Sequence, residues 1–485
     1  MTRTTSVPRL LRAACVLAAA ALAAVTAATP AGADPSRGRT ERVSVGFGQS
    51  APGGAAQPDG ASYAAGLSAD GRFAVFTSEA TNLVPGDSNG KSDVFVRDAW
   101  SGRTERVNTG PGGAQAGDHS YDAAISGDGR YVAFSSYATN LAPGGNLGFE
   151  DVYVHDRWTG STELVSTGHG PAVPQTDRQS GHPSISWDGR YVAYQSNRSD
   201  LAPGTVTWTG GNIYVTDRWT GRTRVVSLGA DGAEANASSA EPVISADGGS
   251  VGFVSKATNI IGQGRPGALA AEATARLDAV SDEEFVRDSF RHDRGAAILK
   301  PRLYPLYVRD LRAEQTVLAS PDGAGGYRGA ARPALGADGR YAVFSTLVND
   351  GGDPWARHYE VYARDLKRGT ETLVSAGLPG TTTTADSLGA QITADAHWVY
   401  FGSAAENLVP GDTNNTRDVF RRDLWTGRTE RVSVAGDGSQ TAGASDDPFV
   451  DALGTTVLFT SEDGTLAPGD TNGVTDVFLR RLSLF

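Results

Sequence analysis

The stretch DGRYVAFSSYATNLAPGGNLGFEDVYVHDRWTGSTELV, residues 128–165, decides the fold. It opens on Asp128-Gly129 and runs into an apolar, strand-like segment from Tyr131. After a loop rich in Pro, Gly and Asn comes a second such run, DVYVHD from Asp151. Trp158-Thr159-Gly160 then turns the chain into STELV from Ser161. Asp-Gly between alternating apolar runs is the strongest short hairpin signal, because a type I′ turn needs positive φ at both central positions. With the apolar run before Asp128, the unit reads as four short antiparallel strands with no helix between them.

The unit repeats. Asp-Gly recurs at Asp70, Asp128, Asp188, Asp247 and Asp338, with degenerate copies at Asp395 and Leu453-Gly454, at spacings of 58, 60, 59, 91, 57 and 58. Seven units of four strands predict an all-β, seven-bladed β-propeller. The ends of the repeat array support a closed ring. Residues 39–45 (RTERVSV) read as a fourth strand without the first three, and the seventh unit reaches Phe485 without a normal fourth strand. The N-terminal strand is therefore expected to complete the last blade, which removes exposed edges. The single long spacing holds extra sequence in the fourth unit, at about 262–302. There Leu269, Ala273, Leu277 and Val280 recur at helical spacing, and Ser281-x-x-Glu284 reads as a capping box, so a small helical insertion is expected.

Composition agrees with this frame. The 61 glycines in 485 residues match one Asp-Gly turn, and often one Trp-x-Gly turn, per blade. A formal charge of −12 argues against nucleic-acid backbones and anionic membrane surfaces as partners, because both need clustered positive charge. Arg3, Arg9 and Arg12 precede an apolar run at 13–28, and Ala31-Gly32-Ala33 supplies a cleavage pattern. Residues 1–33 thus read as a signal peptide cut after Ala33, and 34–485 as the propeller of a secreted, extracellular protein. The only cysteine, Cys15, lies in that leader, so thiol catalysis, cysteine metal sites and disulfides are excluded from the processed chain. No other segment approaches the ~18 consecutive apolar residues of a membrane helix.

A first strand containing proline, then Asp-Gly-Arg, then an apolar strand ending in Ser, then apolar-Tyr-Val-x-Asp-x-x-Thr-Gly is best seen in Asp188-Gly189-Arg190, YVAYQS and IYVTDRWTG. This pattern resembles the WD-repeat-like units of TolB-type propellers over essentially the whole chain after the leader. The resemblance implies the fold, and a family that includes interaction scaffolds, enzyme-associated propellers and some lyases that use several histidines and a metal in the channel. Prolyl oligopeptidases join a related propeller to a hydrolase domain; here the blades consume all the residues.

Function is expected on the face that carries the second–third and inter-blade loops, because loops on a rigid scaffold concentrate binding residues. One feature there is a ring. The position six residues before each Asp-Gly aspartate starts the innermost strand, and it is Ala64, Asp122, His182, Glu241, Arg332, Gly389 and Asp447. The ionisable members Asp122, His182, Glu241, Arg332 and Asp447 form a candidate ligand-binding set for a small polar ligand, a peptide terminus or a cation. Alternatively, channel-lining polar residues simply hold water. The adjacent Asp446 and Asp447 read as a solvated loop.

A second feature is Pro-Gly-Asp-x-Asn-x-x-x-Asp in the second–third loops. It gives Asp87, Asn89 and Asp93; Asp412, Asn414 and Asp418; and Asp470, Asn472 and Asp476. These are hard oxygen donors suited to calcium, although the position-5 and position-12 ligands of an EF-hand are missing. Asx turns explain the same residues without a metal. Gly248-Gly249-Ser250-Val251-Gly252 fits the string of a nucleophile elbow, but it enters a strand where the elbow requires a helix. No zinc-ligand spacing joins the histidines; His119 and His182 are candidates for the channel mouth, with a surface or loop role as the simpler reading of each.

The leading expectation is a non-enzymatic, exported scaffold that presents its loop face to a protein, a peptide or cell-wall carbohydrate, with no catalytic residues. The alternative is a secreted carbohydrate-active lyase or glycosidase working in the channel mouth with His182, Glu241, Arg332 and Asp122.

Overall fold

Seven times, the strand before the Asp-Gly turn pairs with the strand after it, and two further strands extend the sheet outward. In the computed structural model all seven sheets have four antiparallel strands, six of them in chain order. The described residues are 38–48, 56–144, 148–168, 179–203, 210–262, 303–323, 325–349 and 357–482. The expected leader and nearly all of the blade 4 insertion lie outside them. Blade 2 is typical: Ser120–Ile125, Tyr131–Ser136, Asp151–Asp156 and Ser161–Leu164, from the channel outward. Blade 7 takes three strands, Ser445–Val450, Thr456–Ser461 and Asp476–Arg481, from the end of the chain. Its fourth is Thr40–Arg42, paired with Arg480, Leu479 and Phe478.

The second strand of each blade is covered on both faces. Val132, Ala133 and Phe134 are fully buried, which is why these strands read as continuous apolar runs. The cores lie between blades. Val75, Val94 and Val96 of blade 1 pack with Val132 and Phe134 of blade 2, and Leu458 and Val477 of blade 7 pack with Phe76 and Phe95 of blade 1. Each blade is thus one layer of a circular sandwich that buries its apolar faces only through its neighbours.

The Asp-Gly turns differ from the type I′ expectation. Only the glycine is left-handed: Gly71 has φ +69°, Gly129 +72° and Gly189 +70°. The Gly129 N–H donates to Ser126 O at 2.9 Å, and the Ser126 N–H donates to Tyr131 O at 2.9 Å. This is a type I turn followed by a left-handed glycine, so the aspartate keeps an ordinary φ. Its carboxylate accepts from Ser126 Oγ at 2.5 Å and from the Arg130 N–H at 2.9 Å. In five blades the residue before this position bonds sideways. Ala69 N–H donates to Gly127 O at 3.0 Å, Gly127 to Trp187 at 2.9 Å, and Trp187 to Ala246 at 2.8 Å. Ala394 donates to Ala452 and Ala452 to Ala69, both at 3.0 Å, so these bonds tie neighbouring blades together on the Asp-Gly face.

Candidate functional site

The ring positions occupy a β-bulge. In blade 3, Gly181 pairs with Gln195 and Ser184 with Ala193, so His182 and Pro183 together face Tyr194. The bulge recurs in the first strand of blades 2 and 4 to 7. It places one residue of each blade in the left-handed region: Asp122 at φ +49°, His182 at +52°, Glu241 at +53°, Arg332 at +48°, Asp447 at +50° and Gly389 at +67°. Blade 1 makes a shorter irregularity between Ala64 and Gly66 and keeps Ala64 out of that region. A side chain at such φ costs roughly 1–2 kcal/mol, and the glycine of blade 6 relieves it. Five blades accept that strain, and all five carry an ionisable side chain.

These side chains join hands around the channel. His182 Nδ1 lies 3.0 Å from Asp122 Oδ2. The Arg332 N–H donates to Glu241 Oε2 at 2.7 Å, and the Arg332 guanidinium donates to Asp447 Oδ1 at 3.1 Å. That last contact spans two blades. It passes over Gly389, where an added Cβ would sit 3.5 Å from the guanidinium. Burial raises the Glu241 carboxyl above its ordinary value, against the Arg332 N–H and the nearby charges of Arg332 and His182. Burial weakens the Arg332 charge, but Asp447, Asp446 and Glu241 outweigh it and raise that group. The mouth remains wet: the Arg332 and Asp447 side chains are 39% and 40% accessible.

Asp446 departs from the solvated-loop reading. It lies in the first strand of blade 7, and its carboxylate tucks against Gly402, where any side chain would collide with it. Arg417 donates to it from the preceding loop. Burial, followed by the adjacent Asp447, pushes the Asp446 carboxyl upward. Asp446 and Arg417 thus extend the site, and no motif marks either of them. The available signal was the doubled aspartate itself, since this repeat alone places an acid just before the ring position. His119 stands apart: its Nδ1 accepts from the Ser92 N–H at 3.0 Å, and its ring stacks on Tyr121. Beyond the ring, a cavity of about 250 Å³ continues down the axis, lined by Ile125, Ile185, Ile244, Leu335, Ile392 and Phe449 among others.

The three candidate calcium loops share one arrangement. Arg106 lies 3.4 Å from Asp87 and 3.5 Å from Asp93; Arg431 lies 2.9 Å from Asp412 and 3.4 Å from Asp418; Arg42 lies 3.0 Å from Asp470 and 3.6 Å from Asp476. In each, a guanidinium from the fourth strand bridges the first and last carboxylates. The asparagine amide donates to the last one, as Asn89 does to Asp93, Asn414 to Asp418 and Asn472 to Asp476. The last carboxylate also ties the third strand to the fourth: Ser433 Oγ donates to Asp418 at 2.6 Å. Blade 2, which lacks the motif, makes the same tie from Ser166 to Asp151 at 2.7 Å.

No protein-family model and no curated protein matches the sequence. Among solved structures it is similar to an oligogalacturonate lyase from Vibrio parahaemolyticus, at 12% identity and a TM-score of 0.47, covering 87% of this chain and 89% of that one. An oligogalacturonate lyase in complex with manganese gives 12% identity and a TM-score of 0.49, covering 93% and 99%. TolB from Acinetobacter baumannii gives 12% and 0.35, covering 80% and 76%. At this distance the similarity carries no activity across, and the fold stands on the seven sheets themselves. A channel metal held by several histidines does not fit this mouth. The ring offers one imidazole, turned toward Asp122, and no group of three metal-type side chains occurs among the described residues.

Proposed function

We propose that the protein is an exported binding scaffold whose channel mouth takes a positively charged group, an amino terminus or a lysine, from a peptide or protein partner. The observation that carries this reading is the set of five strained, ionisable residues at one bulge position. A ring needed only for folding would use glycine there, as blade 6 does. The charge balance sets the preference. Asp122, Glu241, Asp446 and Asp447 face Arg332, Arg417 and His182, so the mouth sets four carboxyl groups against two guanidinium groups and one imidazole. A net charge of −12 over the chain adds steering toward cationic partners. Burial of the Glu241 and Asp446 carboxyls disfavours their charge, and a bound ammonium would offset that cost.

The test is fluorescence anisotropy with labelled short peptides whose amines are free or acetylated. Free amines bind, and Glu241→Gln or Asp447→Asn weakens them by at least about tenfold. Equal binding of acetylated peptides would sink the proposal.

One observation favours the second reading, a carbohydrate-active lyase. The His182–Asp122 pair has the form of an oriented general base, and Arg332 offers a partner for a substrate carboxylate. Release of unsaturated uronides from polygalacturonate, lost in His182→Ala, would establish it.

A further inference from the structure

The Asp-Gly face, opposite the proposed channel-mouth site, carries most of the exposed apolar surface. Of the eight large hydrophobic side chains exposed among the described residues, six sit in its turns: Trp100, Trp158, Trp187, Trp219, Trp425 and Leu453. In blades 1 to 3, which are adjacent, the tryptophans are built identically. The arginine of Asp-Gly-Arg grips the aspartate that ends the third strand with two bonds: Arg72 to Asp98 at 3.0 and 2.7 Å, Arg130 to Asp156 at 2.9 and 2.6 Å, and Arg190 to Asp217 at 3.0 and 2.7 Å. The same aspartate accepts the tryptophan N–H at 3.0, 3.0 and 3.1 Å. The locked guanidinium then lies 4.8, 4.4 and 4.7 Å from the indole centre of Trp100, Trp158 and Trp219. One face of each indole is held, and the rings remain 65%, 71% and 65% exposed.

The turn does not need the indole. Blade 5 makes the same two-bond pair, Arg340 to Asp365 at 3.1 and 2.5 Å, and places Lys367 where the others place tryptophan. Blade 4 uses Arg312 at that position. Blades 4 and 5 make the turn without the ring, so the three indoles, each held open over a locked guanidinium, are free to serve a ligand.

We propose that Trp100, Trp158 and Trp219 form a polysaccharide-binding surface on the Asp-Gly face, each indole stacking on the C–H face of one sugar ring. The platforms are separated, one per blade, with charged Arg–Asp pairs between them. That pattern lacks the contiguous apolar centre of a protein interface. It fits a polymer whose repeating units each offer an apolar ring face. Three identical platforms on a rigid ring bind one chain with multivalent gain.

The experiment is depletion of the purified protein from solution by peptidoglycan sacculi, chitin and cellulose, at low and high salt. The wild type is retained by at least one of the three, and high salt does not release it, because stacking is not ionic. Single Trp→Ala changes weaken retention about threefold each, and the triple variant W100A/W158A/W219A about thirtyfold or more. The triple variant melts like the wild type, since blades 4 and 5 fold without the ring. Asp447→Asn, at the opposite end of the channel, leaves retention unchanged, which separates this surface from the amine site. The proposal is overturned if none of the three polymers retains the wild type, or if the triple variant is retained equally. Tryptophan-dependent capture of a protein without retention on any polymer would also overturn it and make the face a protein interface.

Discussion

His182 and Gly389 occupy the same bulge position in two blades and define what one residue can do there. Glycine fits that backbone without strain; histidine accepts strain to reach Asp122. The two truncations His182→Ala and His182→Gly remove the same imidazole but differ in backbone relief. The glycine variant should be more stable than the alanine variant by about 1 kcal/mol in urea unfolding. Equal stability would mean that the position carries no strain and that the ring residues need no special explanation. Asp122, His182, Glu241, Arg332 and Asp447 were all legible as one repeating position. Their left-handed conformation was not, because it arises from how the first strand bulges against the second. The Arg332–Asp447 contact was also hidden, since it depends on the missing side chain of a third residue, Gly389.

At the scale of one element, the second–third loop looks like a metal site in sequence and holds an arginine in the structure. The motif lists the acids but not the cation, which comes from the fourth strand, later in the chain for Arg106 and Arg431 and from the other end of the chain for Arg42. Arg431 is almost fully covered between Asp412 and Asp418, whose side chains are 3% and 0% exposed. Arg431→Met leaves those two carboxylates without their cation, and the expected loss of stability is about 3–5 kcal/mol. In the wild type, with the guanidinium in place, neither EDTA nor added calcium should move the melting temperature. A calcium-dependent rise would return these loops to the metal reading. The Asp-Gly turns teach a related lesson. Their dipeptide located each hairpin correctly, while the turn class followed from Ser126 and its counterparts, whose hydroxyls donate to the aspartate and lengthen the loop.

At the scale of the whole molecule, the seam of the ring joins the two ends of the chain. Ser44 Oγ donates to Asp476 Oδ1 at 2.5 Å, and Arg42 bridges Asp470 and Asp476. Burial pushes the Asp476 carboxyl up to about 6, with the Ser44 and Asn472 bonds opposing. The unfolded chain holds such a group near 3.9, so between those values the folded ring binds the extra proton. Its contribution to stability is complete below about pH 4 and is lost as pH rises through about 6. Asp476→Asn should flatten that part of the melting profile while keeping the Ser44 acceptor, as Asn212 does for Ser227 in blade 3. A profile with the same slope in the variant would place the titration elsewhere.

The sequence by itself determined the number of blades, their strand order, the positions of the turns and the ring of repeat positions, because each rests on local periodicity that repeats at nearly constant spacing. What only the tertiary structure decided are side-chain contacts, between blades and between strands of one blade. These include Arg332 reaching over Gly389 to Asp447, Asp446 lodged against Gly402, an arginine standing between the loop aspartates, and indoles held open over Arg–Asp pairs. Such contacts depend on how strands and blades pack in space, which residue spacing along the repeat does not encode.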